Sequence, residues 1–257
     1  LISFQVDLTP QVQSGLMLGT LAAVIIHVIL ICMGSFMQRV MHLDAVEMCS
    51  AIYSNSGNLI IPLVTSVLGP EWVIYSSSFV AVQLVLFWTH MKSSLAGETH
   101  MDFKAIFTNA NMIAIMIGIV LLVTGLRFPT PVNDALRAMG GVVGPSAMII
   151  AGILLGGTTW EKVKSYKGLP FVVILRLVIV PLITMLFLKY SGLANLVPNG
   201  ETILLITLLA TATPSATTVV SMATLFGGDG EYASVINVVT ATLCTLTMPV
   251  IVWLYQI

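Results

Sequence analysis

Long apolar segments separated by short polar stretches dominate the chain. A membrane-spanning helix needs about 20 mostly apolar residues, and polar or charged residues mark its ends. By that rule the sequence predicts eight spans, at about 13–37, 45–68, 71–92, 106–126, 134–157, 169–190, 201–225 and 230–256. The loops between them are short, and no ten-residue segments of alternating polarity indicate membrane strands. The pattern therefore predicts an all-α membrane protein.

Composition supports that fold class. Apolar residues make up 57% of the chain and charged residues only 8%, whereas a soluble domain carries about 25% charged residues. The net charge of −1 provides no basic surface for nucleic acid. Cys32, Cys49 and Cys244 lie in apolar segments without close spacing, so they indicate core packing and predict neither a disulfide nor a metal site.

The distribution of lysine and arginine predicts the orientation in the membrane. The loops on one side hold six such residues and those on the other side three. Cytoplasmic loops carry the excess of positive charge, which predicts a multi-pass protein of the plasma (inner) membrane with both chain ends outside. The cytoplasmic set is Arg39, Lys92, Lys104, Lys162, Lys164 and Lys167, and the outer set is Arg127, Arg137 and Lys189.

A motif near the middle of the first half of the chain recurs near the end. Residues 66–84 and 224–243 each follow a helix with an internal proline, contain a tight glycine turn and continue into a helix with a tyrosine near its start. An odd number of helices in each repeat inverts the second copy, and inverted repeats with broken helices are typical of secondary transporters. The paired residues are Pro62 with Pro214 and Gly69 with Gly227.

Counting helices back from the second copy predicts a repeat of five. Residues 106–257 then form a complete five-helix repeat, and residues 1–105 hold the end of a second helix plus the last three helices of the first repeat. Two helices are expected to precede Leu1. Without them, the small and polar residues of the spans at 13–37 and 71–92 are expected to lack packing partners and to face lipid or empty space. These residues are Ser14, Gly15, Gly19, His27, Ser76, Ser77, Ser78 and Gln83.

The stretch SNSGNLIIPLV, residues 54–64, places poor helix formers at mid-membrane depth. Pro62 and Pro214 cannot donate a backbone hydrogen bond to the preceding turn. In the second break, Thr213 is predicted as an N-cap and Pro214 as the first residue of a half-helix over 214–226. The positive end of such a half-helix favours an anion, and unpaired backbone at that depth persists only along a cavity or inside protein.

These two breaks, predicted to cross near the membrane midplane, form the candidate substrate site. A simple kink at either proline is the alternative for each one taken alone. The predicted substrate-binding residues are Asn55, Ser56, Gly57, Asn58, Pro62, Thr213, Pro214, Ser215, Thr217 and Asn237.

Further polar residues within the spans have two readings each. His27 is either bonded to a neighbouring helix or part of a proton relay. Arg176 and Glu47 are expected to extend towards the membrane surface or to pair. Four more polar residues are predicted either to face the cavity or to form hydrogen bonds between helices. They are Gln83, Asn237, Thr240 and Thr242.

The same residues resemble the auxin efflux carrier family, which includes bacterial malonate or malate permease-like members. The Asn-x-Gly-x-x-x-x-Pro pattern of the family's fourth helix is present at Asn55, Gly57 and Pro62, and its ninth-helix proline at Pro214. Residues 109–157 are similar to the sixth and seventh helices. The resemblance implies ten helices in two inverted five-helix repeats. Where the family often has Gly-Phe-x-Gly before the proline, this chain has Gly57-Asn58-Leu59-Ile60, which predicts a different substrate.

Together these features predict a secondary active transporter or facilitator of a small organic anion, a mono- or dicarboxylate, that works by alternating access. An ion or solute channel and a sodium-coupled organic-anion symporter are the alternatives. The expected partners are the anion with H⁺ or Na⁺, the lipid bilayer and a second copy of the chain, and no cofactor is expected. No metalloprotease motif, nucleophile elbow or P-loop occurs, so an enzyme is not predicted.

Overall fold

Helices account for nearly all of the regular structure in the described part of the chain. The computed structural model describes residues 4–97, 103–142, 145–146, 149, 152–153, 156–157 and 159–257. The helices whose two ends lie in described segments are α1 Pro10–Met41, α2 Ala45–Ile52, α3 Ser56–Val67, α4 Pro70–Ala96, α5 Phe103–Thr108, α6 Ala110–Thr124, α7 Thr130–Gly141, α8 Trp160–Ser165, α9 Leu169–Tyr190, α10 Gly200–Ala212, α11 Thr217–Leu225 and α12 Gly230–Gln256.

Four of these helices, α1, α4, α9 and α12, are long and apolar enough to cross a membrane. They coincide with the predicted spans at 13–37, 71–92, 169–190 and 230–256. The spans predicted at 45–68 and 201–225 are each divided into two shorter helices, and α6 is an apolar helix of 15 residues within the span predicted at 106–126. The span predicted at 134–157 lies partly outside the described residues. The structure thus has the helices of a multi-pass membrane protein, with four rather than eight of full length among the described residues.

Local sequence signals place the helix ends. Thr9 accepts a hydrogen bond from the Val12 N–H at the start of α1, and Pro10 occupies the first turn, where no backbone donor is needed. Asp44 and Glu47 form a reciprocal capping box at the start of α2. Both predicted glycine turns are present, because Gly69 has φ of 112° and Gly227 has φ of 78°, a conformation that favours glycine.

The packing of α1 against α4 and α10 joins the two halves of the chain. Gly15 lies so close to Tyr75 of α4 and Ile203 of α10 that a Cβ there would be 2.5 Å and 2.8 Å from their side-chain atoms. Gly19 lies less closely against Ser78, 3.4 Å from the position of a Cβ, and the Ser78 hydroxyl donates to the Leu16 carbonyl at 3.3 Å. Small residues of this kind let membrane helices approach closely.

The expectation that this small and polar face lacks packing partners is therefore wrong. Most of these residues are buried, with Ser14 and Ser77 half-buried, because α10, from the second half of the chain, packs against α1 and α4. The buried members of the face are Gly15, Gly19, His27, Ser76, Ser78 and Gln83.

Enlarging Gly15 should destabilise this packing. We expect Gly15→Leu to lower the free energy of unfolding by about 1–3 kcal/mol, because extra methylene groups in a closely packed site force side chains out of their preferred rotamers. Thermal unfolding of the purified full chain in detergent measures this. Gly141→Leu is the matched control, since nothing lies within 4 Å of a Cβ at Gly141. Equal unfolding temperatures for the two variants would contradict the packing argument.

Candidate functional site

The two helix breaks pair with each other. Ser54, between α2 and α3, and Ser215, between α10 and α11, form an antiparallel β-bridge. The Asn55 N–H donates to the Pro214 carbonyl at 2.8 Å, and the Ala216 N–H donates to the Tyr53 carbonyl at 3.0 Å. Each break therefore supplies hydrogen-bond partners for backbone groups that the other break has removed from its helix.

Gln83 of α4 holds the first break. Its amide oxygen accepts from the Ser54 N–H at 3.2 Å and from the Ser54 hydroxyl at 2.8 Å. Its amide nitrogen donates to the Ser54 carbonyl at 2.8 Å and to the Ser56 hydroxyl at 3.0 Å. Gln83 is buried, so a single side chain satisfies the backbone of Ser54 in both directions.

Asn237 and Thr240 of α12 do the same for the second break. The Asn237 amide nitrogen donates to the Ser215 carbonyl at 2.5 Å, and the Ser215 N–H donates to the Thr240 hydroxyl at 3.2 Å. Thr242 instead donates to the Val238 carbonyl of its own helix. Gln83, Asn237 and Thr240 were predicted either to face the cavity or to form hydrogen bonds between helices, and the structure shows the hydrogen bonds.

Arg176 binds the ends of both first half-helices. Its guanidinium donates to the Ala51 and Ile52 carbonyls at the end of α2, at 2.9 and 3.2 Å. It also donates to the Thr211 and Thr213 carbonyls at the end of α10, at distances between 2.5 and 3.1 Å. The side chain is 0% exposed. The expectation that Arg176 extends to the membrane surface is wrong, because these carbonyls bind it inside the protein.

A turn of π-helix in α9 carries Arg176 to this position. Residues Leu175–Ile179 form the π-helical turn, and such single-turn insertions shift the side chains of a helix and are frequent at functional sites. Five N–H groups of the guanidinium are matched by carbonyl contacts at these two helix ends. In the described part of the chain, the ion pairs join Arg127 to Asp7 and Lys162 to Glu231, so no carboxylate neutralises Arg176 there.

The second half-helices begin at the same crossing with their positive ends. Neither α3 nor α11 has a side-chain cap. The first N–H groups of a helix, here including those of Gly57 and Thr218, have no acceptor within their own helix. The negative ends of α2 and α10 bind a buried cation, whereas the positive ends of α3 and α11 have no side-chain cap among the described residues.

A small polar cluster lies beside these positive ends. The Asn58 amide nitrogen donates to the Asn55 side-chain oxygen at 3.0 Å and to the Thr217 hydroxyl at 3.3 Å. The Thr217 hydroxyl lies 3.5 Å from the same Asn55 oxygen. Asn58 and Gly57 are exposed, and nothing lies within 4 Å of a Cβ at Gly57. The cluster is therefore accessible, in contrast to the buried hydrogen bonds around Ser54 and Ser215.

The predicted site residues thus fall into three groups. Asn55, Gly57, Asn58 and Thr217 surround the accessible polar cluster. Ser56, Thr213, Pro214, Ser215 and Asn237 are buried in the paired breaks, where the hydroxyl of Ser215 has no partner within the described structure. Pro62 lies further along α3 and lines an apolar groove of about 730 Å³, which also contacts Thr213, Pro214 and α12.

The prediction that Thr213 caps a new half-helix is wrong. Thr213 follows the last residue of α10, and its hydroxyl donates to the Ala210 carbonyl at 2.9 Å. Residues 213–216 are extended, and α11 begins only at Thr217. A residue before proline avoids the helical conformation, and pairing with residues 53–55 stabilises the extended segment. The Ala210 carbonyl that Pro214 cannot satisfy thus receives the Thr213 hydroxyl instead.

The other two ionisable residues singled out in the spans, His27 and Glu47, have different kinds of partner. His27 is buried with Nδ1 2.7 Å from the Ala23 carbonyl of its own helix, and its ring lies 4.7 Å from that of Phe79. It is not bonded to a neighbouring helix as expected, since Nε2 has no partner within the described structure. The Glu47 carboxylate accepts from the Asp44 N–H and from the Tyr232 hydroxyl at 2.8 Å, which joins α2 to α12.

Sequence reasoning did not include Gln83, Arg176 or Thr240 among the site residues. For Arg176, the sequence does contain a signal, because a charged residue inside an apolar span marks a functional position by default. The carbonyls that bind Arg176 belong to residues far away in the chain, so no local pattern identifies them.

Comparison with known protein families identifies the family of the chain. A family model described as "Membrane transport protein" matches residues 9–252, nearly the whole chain. It is the family that the sequence resemblance predicted, so that prediction is confirmed. Among curated proteins, none matches the chain.

Removing the Gln83 amide should destabilise the crossing. We expect Gln83→Leu to lower the free energy of unfolding by about 2–6 kcal/mol, because it leaves the buried N–H and carbonyl of Ser54 unpaired at about 1–3 kcal/mol each. Thermal unfolding of the full chain in detergent measures the loss. Gln13→Leu, on the exposed side of α1, is the control and should change little. If Gln83→Leu unfolds at the wild-type temperature, Gln83 does not support the break.

Proposed function

The chain belongs to the membrane transport protein family, and on that premise we propose that it is a secondary transporter of a small organic anion, a mono- or dicarboxylate. The proposal places substrate at the accessible cluster of Asn55, Asn58 and Thr217, beside the ends of α3 and α11. Transport proceeds by alternating access in a multi-pass protein of the plasma (inner) membrane.

The observation that carries this proposal is the meeting of the positive ends of two half-helices, α3 being exposed at Gly57 and Asn58 and α11 half-buried at Thr217 and Thr218. A helix N-terminus favours an anion because its first N–H groups are free and its dipole is positive there. The Asn58 amide nitrogen and the Thr217 hydroxyl add donors at hydrogen-bond distance from one another. Both donors bond to the Asn55 side-chain oxygen in this structure, and a bound carboxylate would replace that oxygen as their acceptor beside the positive helix ends.

The arrangement of broken helices supports a transporter over a channel. An unbroken apolar helix precedes and follows each broken one. Helices α1 and α4 flank the broken pair α2–α3, and helices α9 and α12 flank the broken pair α10–α11. We propose that these are inverted copies, as in other transporters with broken helices. A channel needs a continuous pore, yet the backbone at the crossing is buried and paired.

Saturation of flux distinguishes these two mechanisms. We expect the full chain in proteoliposomes to take up radiolabelled mono- or dicarboxylates with a rate that saturates, because each cycle carries a bound anion. A thermal-shift screen of the same acids identifies which one to use, since a ligand that binds the folded state raises the unfolding temperature. Flux that remains linear to high concentration would instead indicate a channel.

Substitutions in the polar cluster test the location of the site. We expect Asn58→Ala and Thr217→Val to raise the half-saturating anion concentration about 10- to 100-fold, the equivalent of losing a hydrogen bond to a charged group at about 1.5–3 kcal/mol. Thr65→Val is the control, since Thr65 is exposed on α3 and bonds only to the Ile61 carbonyl of its own helix. Unchanged uptake in both cluster variants would place the substrate elsewhere.

A further inference from the structure

We infer that Arg176 is a built-in cation that occupies the position of a coupling metal ion, so that this chain needs neither Na⁺ nor K⁺ at its crossing. The inference rests on the proposed transport function in one respect: it concerns how that transport is coupled. It argues against the sodium-coupled symporter as the mechanism. It also assigns a positioning role to Arg176, because the guanidinium acts through the backbone and does not contact the proposed substrate cluster.

The ligands of Arg176 are those that a metal ion would use. In transporters with broken helices, unwound backbone carbonyls and the C-terminal ends of half-helices coordinate the coupling cation. Here the carbonyls of Ala51 and Ile52 from one broken helix, and of Thr211 and Thr213 from the other, all accept from the guanidinium. These oxygens are therefore not available to Na⁺ while Arg176 is in place.

The charges at this point also balance without another cation. The C-terminal end of a helix carries about half a negative charge, so the ends of α2 and α10 together carry about one. The single positive charge of Arg176 offsets it. Among the described residues, no group of three or more His, Cys, Asp or Glu side chains could hold a metal ion, and no carboxylate pairs with Arg176.

The geometry is specific to arginine. A guanidinium has five N–H groups in a fixed plane, and the contacts of Arg176 use its Nε and both terminal nitrogens. A lysine ammonium has three N–H groups at one point and cannot reach both helix ends with the same set of bonds. Charge alone therefore does not replace Arg176, and this distinguishes the proposal from a general need for a buried positive charge.

Chemical rescue of an Arg176→Ala variant tests the inference without any substrate. We expect this variant of the purified full chain to unfold roughly 10 °C below the wild type, the shift that a loss of a few kcal/mol produces in a chain of this size. Low-millimolar guanidinium, far below denaturing concentrations, should recover at least half of that shift, because a ligand bound only by the folded state stabilises it. Wild type should unfold at the same temperature in sodium, potassium and choline chloride.

Two matched variants separate this role from a general effect of salt or of lost packing. Arg176→Lys keeps the charge and should be destabilised without rescue by guanidinium. Arg137→Ala removes an exposed arginine of α7 and should show neither loss nor rescue. If Arg176→Ala elutes as a folded monodisperse protein and guanidinium does not stabilise it, the inference is overturned.

The wild-type protein tests the inference even if the Arg176→Ala variant does not fold. An unfolding temperature that rises with Na⁺ at constant ionic strength, or anion flux that requires Na⁺, would overturn the inference, and equal values in sodium and choline would support it. Absence of any saturable anion flux would contradict the proposed function, yet the thermal measurements on Arg176 would still stand. The two failures are therefore distinguishable.

Discussion

The requirement that every backbone polar group be paired where water is absent governs this structure. An unbroken helix meets it within its own backbone, but α2–α3 and α10–α11 are interrupted at residues 53–55 and 213–216. The backbone groups of the two interruptions are paired through the Ser54–Ser215 bridge and through the side chains of Gln83 and Asn237. Each broken helix is therefore stable only in the presence of the other and of α4 and α12.

The same arrangement separates charge across the crossing. Two helix ends with partial negative charge meet Arg176 on the buried side, and two ends with partial positive charge meet the accessible Asn55, Asn58 and Thr217 cluster. Because the buried side is already neutral, the accessible side retains about one unit of positive charge in total. One carboxylate would supply the complementary charge, which favours the proposed anion over a neutral solute or a cation.

The sequence predicted the positions of the breaks better than their geometry. Polar, glycine and proline residues at 54–58 and 213–217 are visible in a local window, and both breaks lie at or beside them. The conformation of Thr213 was mispredicted because it depends on the pairing of its segment with Tyr53 and Asn55. These two residues lie more than 150 residues earlier in the chain. The small faces of α1 and α4 were mispredicted for the same reason, since their partner α10 comes from the other half of the chain.

The buried contacts also limit which motions a transport cycle can use. Separating the two breaks would leave the Asn55–Pro214 and Ala216–Tyr53 backbone pairs unmade, together with the carbonyls that Arg176 binds. At about 1–3 kcal/mol for each unpaired buried group, such a separation would cost as much as the whole stability of a typical domain, about 5–15 kcal/mol. We therefore expect the crossing to remain intact during the proposed alternating access. In that mechanism, access to the Asn58 and Thr217 cluster changes by movement of surfaces around the crossing, such as the apolar groove lined by Pro62.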